Sequence, residues 1–234
     1  MEHDISFGEI NVEIKRYVWD VVDSNSWLMR EGNEGLLIDV IDSHELYEDI
    51  KKLDNLTIII THSHFDHICG LNTVRQLNKS VCVISTDLCS EYMGNIYRNM
   101  SATVQAFLAF YQNGDHRTEN VAEFICAPSN RVFSEALDFD WCAHKVSLFS
   151  VYGHSKDGLV ALVDDRWLFS GDTLLPMPTI TRFPKGSTEK FWRHDIPAIA
   201  GMKDIELVFP GHGDSGDLFD MIRINKQPER YQHA

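Results

Sequence analysis

No run in this sequence approaches the roughly 20 apolar residues that a membrane-crossing helix requires, which excludes a spanning segment of that kind. The opening stretch Met1-Glu2-His3-Asp4-Ile5-Ser6 lacks a basic region followed by an apolar one, so a secretory leader is not expected and cytoplasm is the default compartment. Cysteine is sparse. The five residues Cys69, Cys82, Cys89, Cys126 and Cys142 are scattered and form no Cys-x-x-Cys pair, which argues against both a disulfide framework and a structural zinc site. Positive charge is also scarce: 21 Lys and Arg stand against 35 Asp and Glu, for a formal net charge of −14. A nucleic-acid partner is therefore not expected, because a phosphate backbone is held by cations that displace its counterions. No Gly-rich phosphate loop, dinucleotide fingerprint, internal repeat or low-complexity linker is present.

What the chain does have is histidine in a telling place. Thr61-His62-Ser63-His64-Phe65-Asp66-His67 follows directly on the apolar run Leu56-Thr57-Ile58-Ile59-Ile60. A branched apolar run of this length reads as a buried strand, and the imidazoles and carboxylate after it suit zinc, or a borderline metal such as iron or manganese. In an extended loop His62 and His64 project to the same side, while Asp66 and His67, turning into a helix, can face the same point from another direction. The setting recurs downstream, where Val146–Gly153 leads to His154, Arg166–Gly171 to Asp172 and Ile205–Gly211 to His212. Each is a strand, a turn containing Gly, then a potential ligand. In layered α/β folds such loops gather at strand ends, so four of them can meet in one cleft.

These motifs resemble the metallo-β-lactamase-fold hydrolase superfamily. The H-x-H-x-D-H element is complete, and Gly153-His154-Ser155, Gly171-Asp172-Thr173-Leu174 and Pro210-Gly211-His212-Gly213 follow in the family's order, over roughly residues 10 to 215. Gly-Asp-Thr-Leu followed by Pro-Gly-His-Gly is most similar to the glyoxalase II branch and its lactonase and thioesterase relatives. The β-lactamases proper usually lack the bridging aspartate, so Asp172 argues against antibiotic hydrolysis. The resemblance implies a four-layer αββα sandwich with two divalent metal ions, zinc first and iron or manganese as alternatives. His62, His64 and His154 would hold one ion, Asp66, His67 and His212 the other, and Asp172 would bridge them beside a shared hydroxide that Asp66 could orient. Two dications about 3.5–4 Å apart need such an anion between them. Two departures from the family pattern stand out: Cys69 replaces a usual glycine after Asp66-His67, and Ser155-Lys156-Asp157 replaces the usual Thr-Pro. The cysteine is expected to be a small packed side chain.

Strands are expected over 9–19, 26–30, 36–40, 145–152, 159–163, 167–170 and 206–209, and helices from Ser43 to Lys52, His67 to Asn78 and Thr188 to Ala200. The order suggests two sheets between helices in a single domain spanning residues 1–234, with a helical insertion at about 86–140. Within it, Met100, Val104, Phe107 or Leu108, and Tyr111 share a helical stripe that fits core, a homodimer contact or a lid. In the proline-stiffened segment Leu175–Ser187, Arg182 and Lys185 could anchor a carboxylate or phosphate at the cleft mouth or remain solvated loop charges, and His194 could reach the same rim. The expected activity is hydrolysis of a small ester, thioester or lactone. Alternatives are cleavage of a small phosphodiester and iron-dependent oxidation of the persulfide dioxygenase kind. Only residues 213–234 follow His212, which is short for the helical C-terminal domain that helps classical glyoxalase II hold glutathione, so that substrate is not expected.

Overall fold

A computed structural model of the chain describes the main chain of residues 5–6 and all of residues 12–106, 121–181 and 186–225. The first sheet has seven strands in chain order: β1 (Ile5–Ser6), β2 (Glu13–Trp19), β3 (Ser24–Glu31), β4 (Glu34–Ile38), β5 (Asn55–Ile59), β6 (Val81–Thr86) and β7 (Arg131–Phe133). Its first four strands pair antiparallel, and β4 to β7 pair parallel. The second sheet has five strands, β8 (Ala136–Trp141), β9 (His144–Val151), β10 (Gly158–Val163), β11 (Trp167–Gly171) and β12 (Leu207–Pro210). They lie in reverse chain order, and only the β11–β12 pair is parallel.

Period-two alternation within continuously apolar strands shows how the sheets are layered. Leu36 and Ile38 of β4, Trp27 and Met29 of β3 and Ile59 of β5 pack against Val146, Leu148, Ala161, Trp167, Phe169 and Phe209 of the second sheet. The alternate residues point outward. Leu28, Leu37 and Ile58 join a second core with α1 (His44–Ile50), α2 (Phe65–Ile68), α3 (Leu71–Leu77) and α4 (Asp87–Met93). Val160, Leu162, Leu168 and Val208 join a third with Phe191, Ile199 and Met221, which belong to the helical stretches beyond Ser187. Three apolar cores between four layers make an αββα sandwich, as the resemblance implied. Among the described residues no helix is long and apolar enough to cross a membrane.

Several local expectations were adjusted by tertiary contacts. Ser43 caps α1 by accepting from the Leu46 amide, as its residue type predicted. The helix expected from His67 to Asn78 is instead broken between α2 and α3, because Gly70 lies directly against the main chain of Ile41 and donates its amide to the Val40 carbonyl. The helix expected from Thr188 to Ala200 is divided into α5 (Thr188–Lys190), a π-helical stretch Phe191–Asp195 and α6 (Ile196–Ala200). Pro197 in the first turn of α6 has no N–H to continue the preceding ladder, which accounts for the wide turn there. The chain then closes with α7 (Leu218–Ile224).

Among the described residues of 86–140, α4, a 3₁₀ turn (Ser101–Thr103) and residues 104–106 are helical, and the segment ends in β7 and β8. Met100 has a left-handed backbone, φ 67°, so the stripe starting there is not one continuous helix. Phe107, Leu108 and Tyr111 lie outside the described residues.

Phe209 stacks on Phe169 at 4.7 Å and meets Trp27 edge-on at 5.0 Å, joining both sheets. Phe209→Ala should cost about 3–5 kcal/mol in urea unfolding, whereas Val132→Ala, on the exposed edge strand β7, should stay within about 0.5 kcal/mol. Similar costs for the two would contradict the inter-sheet core described here.

Candidate metal centre

The sequence-predicted donors come together at one end of the sandwich. His62, His64, Asp66 and His67 follow β5, His154 follows β9, Asp172 follows β11 and His212 follows β12. Three groups form, His62/His64/His154, His62/His67/Asp172 and Asp66/His67/His212, each with donor atoms within 4.8 Å of one another. In the first, His64 Nδ1 lies 3.0 Å from His62 Nε2 and 3.1 Å from His154 Nε2. A tetrahedral zinc with Zn–N of about 2.0–2.1 Å needs N···N edges of roughly 3.3 Å, so the spacing fits a cation. In the last, His212 Nε2 is 3.2 Å and His67 Nε2 3.6 Å from Asp66 Oδ2.

Asp172 lies between the two sets. Its Oδ1 is 3.4 Å from His67 Nε2, and its Oδ2 is 3.4 Å from His212 Nε2, 3.5 Å from His154 Nε2 and 4.0 Å from His62 Nε2. Both His67 Nε2 and Asp172 Oδ1 are buried without a hydrogen-bond partner among the described residues, an arrangement that costs free energy unless a cation completes it. Only glycine fits beside this carboxylate, since a Cβ on Gly211 would collide with Asp172 Oδ1.

The ring nitrogens that face the donor clusters are selected by what the opposite nitrogens touch. His212 Nδ1 donates to the Val22 carbonyl at 3.1 Å and His154 Nδ1 to the Ile180 carbonyl at 2.8 Å, which leaves both Nε2 lone pairs for a cation. Asp39 does the same for two rings at once. Its Oδ2 accepts from His67 Nδ1 at 2.9 Å and from the Thr61 hydroxyl at 2.7 Å, while Thr61 Oγ1 sits 3.1 Å from His62 Nδ1. The Thr61 proton is committed to Asp39, so the hydroxyl oxygen accepts from His62 and turns its Nε2 inward.

Asp39 escaped the sequence reading, as did two other buried carboxylates. Asp157 accepts from the Ser63 amide at 2.9 Å, tying the loop of His154 to that of His62 and His64. Asp195, aimed by the π-helical stretch, accepts from the amides of Tyr152 and Gly153 at 3.0 and 2.6 Å and so fixes the turn before His154. The one available signal was for Asp39, which follows Leu36-Leu37-Ile38 in the same strand-then-acid pattern as Asp172.

Electrostatics differ across the site. Burial, reinforced by the neighbouring His67 and His64, holds His62 well below the ordinary histidine value, and burial with His154 nearby pushes His64 down to about 3. Burial also opposes charge on His67 and His212, yet the carboxylates win. Asp66, Asp172 and Asp39 hold His67 well above its ordinary value, and Asp172 and Asp66 push His212 up to about 10. For Asp172, burial is outweighed by His212 and His67, which keep it ionised.

The remaining predicted residues are placed less centrally. His194 stands outside the donor groups: its Nδ1 bonds Asp195 Oδ1 at 2.9 Å and its ring packs on Tyr152, next to the turn carrying His154. Cys69 is partly buried and accepts from the Asp42 amide at 3.2 Å, outside the donor groups. Arg182 and Lys185 lie outside the described residues.

A family model described as metallo-beta-lactamase superfamily matches residues 19–212. A hydroxyacylglutathione hydrolase of Haemophilus ducreyi is 22% identical over 192 residues, covering 81% of this chain and 66% of that protein, so the chain spans just under two thirds of its relative's length. Among solved structures, a metallo-beta-lactamase from Pontibacter korlensis aligns with TM-score 0.65 and 16% identity over 96% of this chain and 98% of that one. Another from Hirschia baltica aligns with TM-score 0.64 and 17% identity over 95% of each. At these identities the structural likeness establishes the fold alone.

Two outcomes follow from the geometry. Asp39→Ala should weaken metal retention by about 10- to 100-fold in a chelator competition, with near-native circular dichroism; unchanged retention would deny Asp39 its orienting role. Near neutral pH, where the raised His67 and His212 carry protons in the metal-free protein, zinc binding should release protons, and the share of the release that comes from His212 should fade as pH rises through about 10. Calorimetry in buffers of different ionisation enthalpy reads this directly, and a buffer-independent heat would contradict it.

Proposed function

Because the chain belongs to the metallo-beta-lactamase superfamily, we propose that it is a binuclear metal-dependent hydrolase that cleaves a small ester, thioester or lactone. The observation that carries this reading is the position of Asp172, one carboxylate within 4.0 Å of donors from both sets. In this reading His62, His64 and His154 hold one ion, Asp66, His67 and His212 hold the other, and Asp172 is shared. Divalent ions held there, zinc before iron or manganese, would supply a hydroxide nucleophile at neutral pH and polarise the carbonyl under attack.

The protein's own share of the work is positioning. The Val22 and Ile180 carbonyls and Asp39 keep the Nδ1 protons of His212, His154 and His67 directed away from the reacting centre. Asp66, whose Oδ2 faces His67 and His212, would accept a hydrogen bond from the attacking water and hold it in line with the carbonyl. Val22, Phe65 and Leu175 are buried beside these donors and limit the water that reaches them. The hydroxyacylglutathione hydrolase relative supports thioester chemistry, and a bridging carboxylate separates the site from the β-lactamase pattern.

Elemental analysis of protein reconstituted with zinc, manganese or iron should give close to two ions per chain, and small esters or thioesters should be turned over faster than phosphodiesters at equal concentration. Asp172→Ala should lower kcat by on the order of 100-fold or more while the fold persists, whereas Cys69→Ala should retain most activity. A stoichiometry never exceeding one, or preferential cleavage of a phosphodiester, would overturn the proposal.

A further inference from the structure

A cleft of about 340 Å³ opens directly onto His64, Asp66, His154, Asp172 and His212. Away from those donors its walls change character. Val22 comes from the turn between β2 and β3, and Phe65 from between two donors. Met100 comes from the chain before the 3₁₀ turn, and Leu175, Met177 and Ile180 from the segment after Asp172. The first four are buried, but Met177 and Ile180 stand 42% and 62% exposed at the mouth. Large apolar side chains left in water beside a polar reaction centre mark a place where something apolar sits.

The polar groups of the cleft support the same conclusion. Arg16 is the one Lys or Arg among its described lining residues, and its guanidinium is already engaged: Nε donates to Asn25 Oδ1 at 2.8 Å and Nη1 to Asp214 Oδ1 at 2.6 Å. Asp23, the other charged group outside the donor set, is negative. Among the described lining residues, a peptide-like or multiply anionic group would find few further partners away from the donors to replace the water it loses. A hydrocarbon has no hydrogen bonds to lose and gains contact with the apolar walls.

We propose that this cleft receives an apolar chain, so that the substrate is an ester or thioester carrying a medium-length alkyl or aryl group on one side of the scissile bond. This rests on the hydrolase reading for its chemistry, and on the cleft alone for its selectivity. The apolar group lies along Val22, Phe65 and Leu175 towards Met177 and Ile180, and the carbonyl lies against the donors. Each buried methylene contributes about fourfold, the equivalent of about 0.8 kcal/mol, until the cleft is filled.

The test uses the metal-loaded full chain and two homologous series. One varies the acyl side, from acetyl to octanoyl thioesters of N-acetylcysteamine. The other varies the leaving side, from ethyl to octyl acetate. In at least one series kcat/KM should rise by about fourfold per methylene, chiefly through KM, and which series rises identifies the side that the cleft holds. Binding is read separately by calorimetry with the straight-chain alcohols butanol to octanol, whose dissociation constants should fall in the same proportion. Met177→Asp and Ile180→Asp should each reduce the ratio of octyl-chain to two-carbon efficiency at least tenfold. If short esters are cleaved but both series and the alcohols are flat, the apolar receptor is wrong and the hydrolase reading stands. If alcohols bind with the expected length dependence and no ester or thioester is cleaved, the receptor stands and the hydrolase reading fails. If Ile180→Asp instead changes the oligomeric state and both series are flat, the exposed side chains cover a contact between copies and the proposal is overturned.

Discussion

The donor cluster depends on a single buried carboxylate. Asp39 sits at the end of β4 with a left-handed backbone, φ 58°, and is almost wholly shielded from solvent. It receives the Thr61 amide and hydroxyl and the Nδ1 proton of His67. Through Thr61 it also sets the orientation of His62, so one anion governs a ring in each donor set. Burying a carboxylate is costly unless its oxygens are occupied, and here both are. The same bonds hold the first donor loop against the end of the sheet, coupling loop conformation to ring orientation.

The other loops are restrained in a similar manner by residues remote in sequence. Asp157 ties the His154 loop to Ser63, Asp195 fixes the turn ahead of His154, and Asn25 and Trp27 of β3 grip the Pro210 carbonyl ahead of His212. Each restraint spans the gap between sheets or between a sheet and a helix layer. The four-layer packing is therefore what makes the donor geometry reproducible: the two sheets interdigitate around Trp27, Phe169 and Phe209, so their loop ends cannot move independently. The π-helical stretch has the same role at smaller scale, since its widened turn aims Asp195 at two main-chain amides.

Charge is distributed with equal economy. Burial and the neighbouring histidines hold His62 and His64 below the ordinary histidine value, whereas His67 and His212 are raised by their carboxylates. A cation held at Asp66, His67 and His212 would replace protons with a larger positive charge at the same place, and the carboxylates that raise those histidines would serve as its ligands. Beside this polar centre the cleft turns apolar within one side chain, because Phe65 lies between His64 and Asp66.

The donor types, their order along the chain and their attachment to strand ends are legible in the residues alone, because strand-then-turn-then-ligand is a local pattern that neighbouring residues encode. The two buried sheets are legible in the same way, since β10 is apolar at every position and β4 and β11 carry large apolar residues on both faces, as strands between layers do. Which nitrogen of His62, His67, His154 and His212 faces the centre depends instead on contacts distant in sequence, made with groups such as Val22, Asp39 and Ile180. The folded chain alone set His194 against Asp195 and Tyr152, divided the helices expected from His67 and Thr188, and gave Asp39, Asp157 and Asp195 their roles. It also assembled the cleft from Val22, Phe65, Met100 and Leu175, four residues with no common periodicity. Periodicity and motif spacing register what a residue's near neighbours require. Ring orientation, carboxylate burial and cleft lining are set by long-range contacts that exist only once the layers have closed.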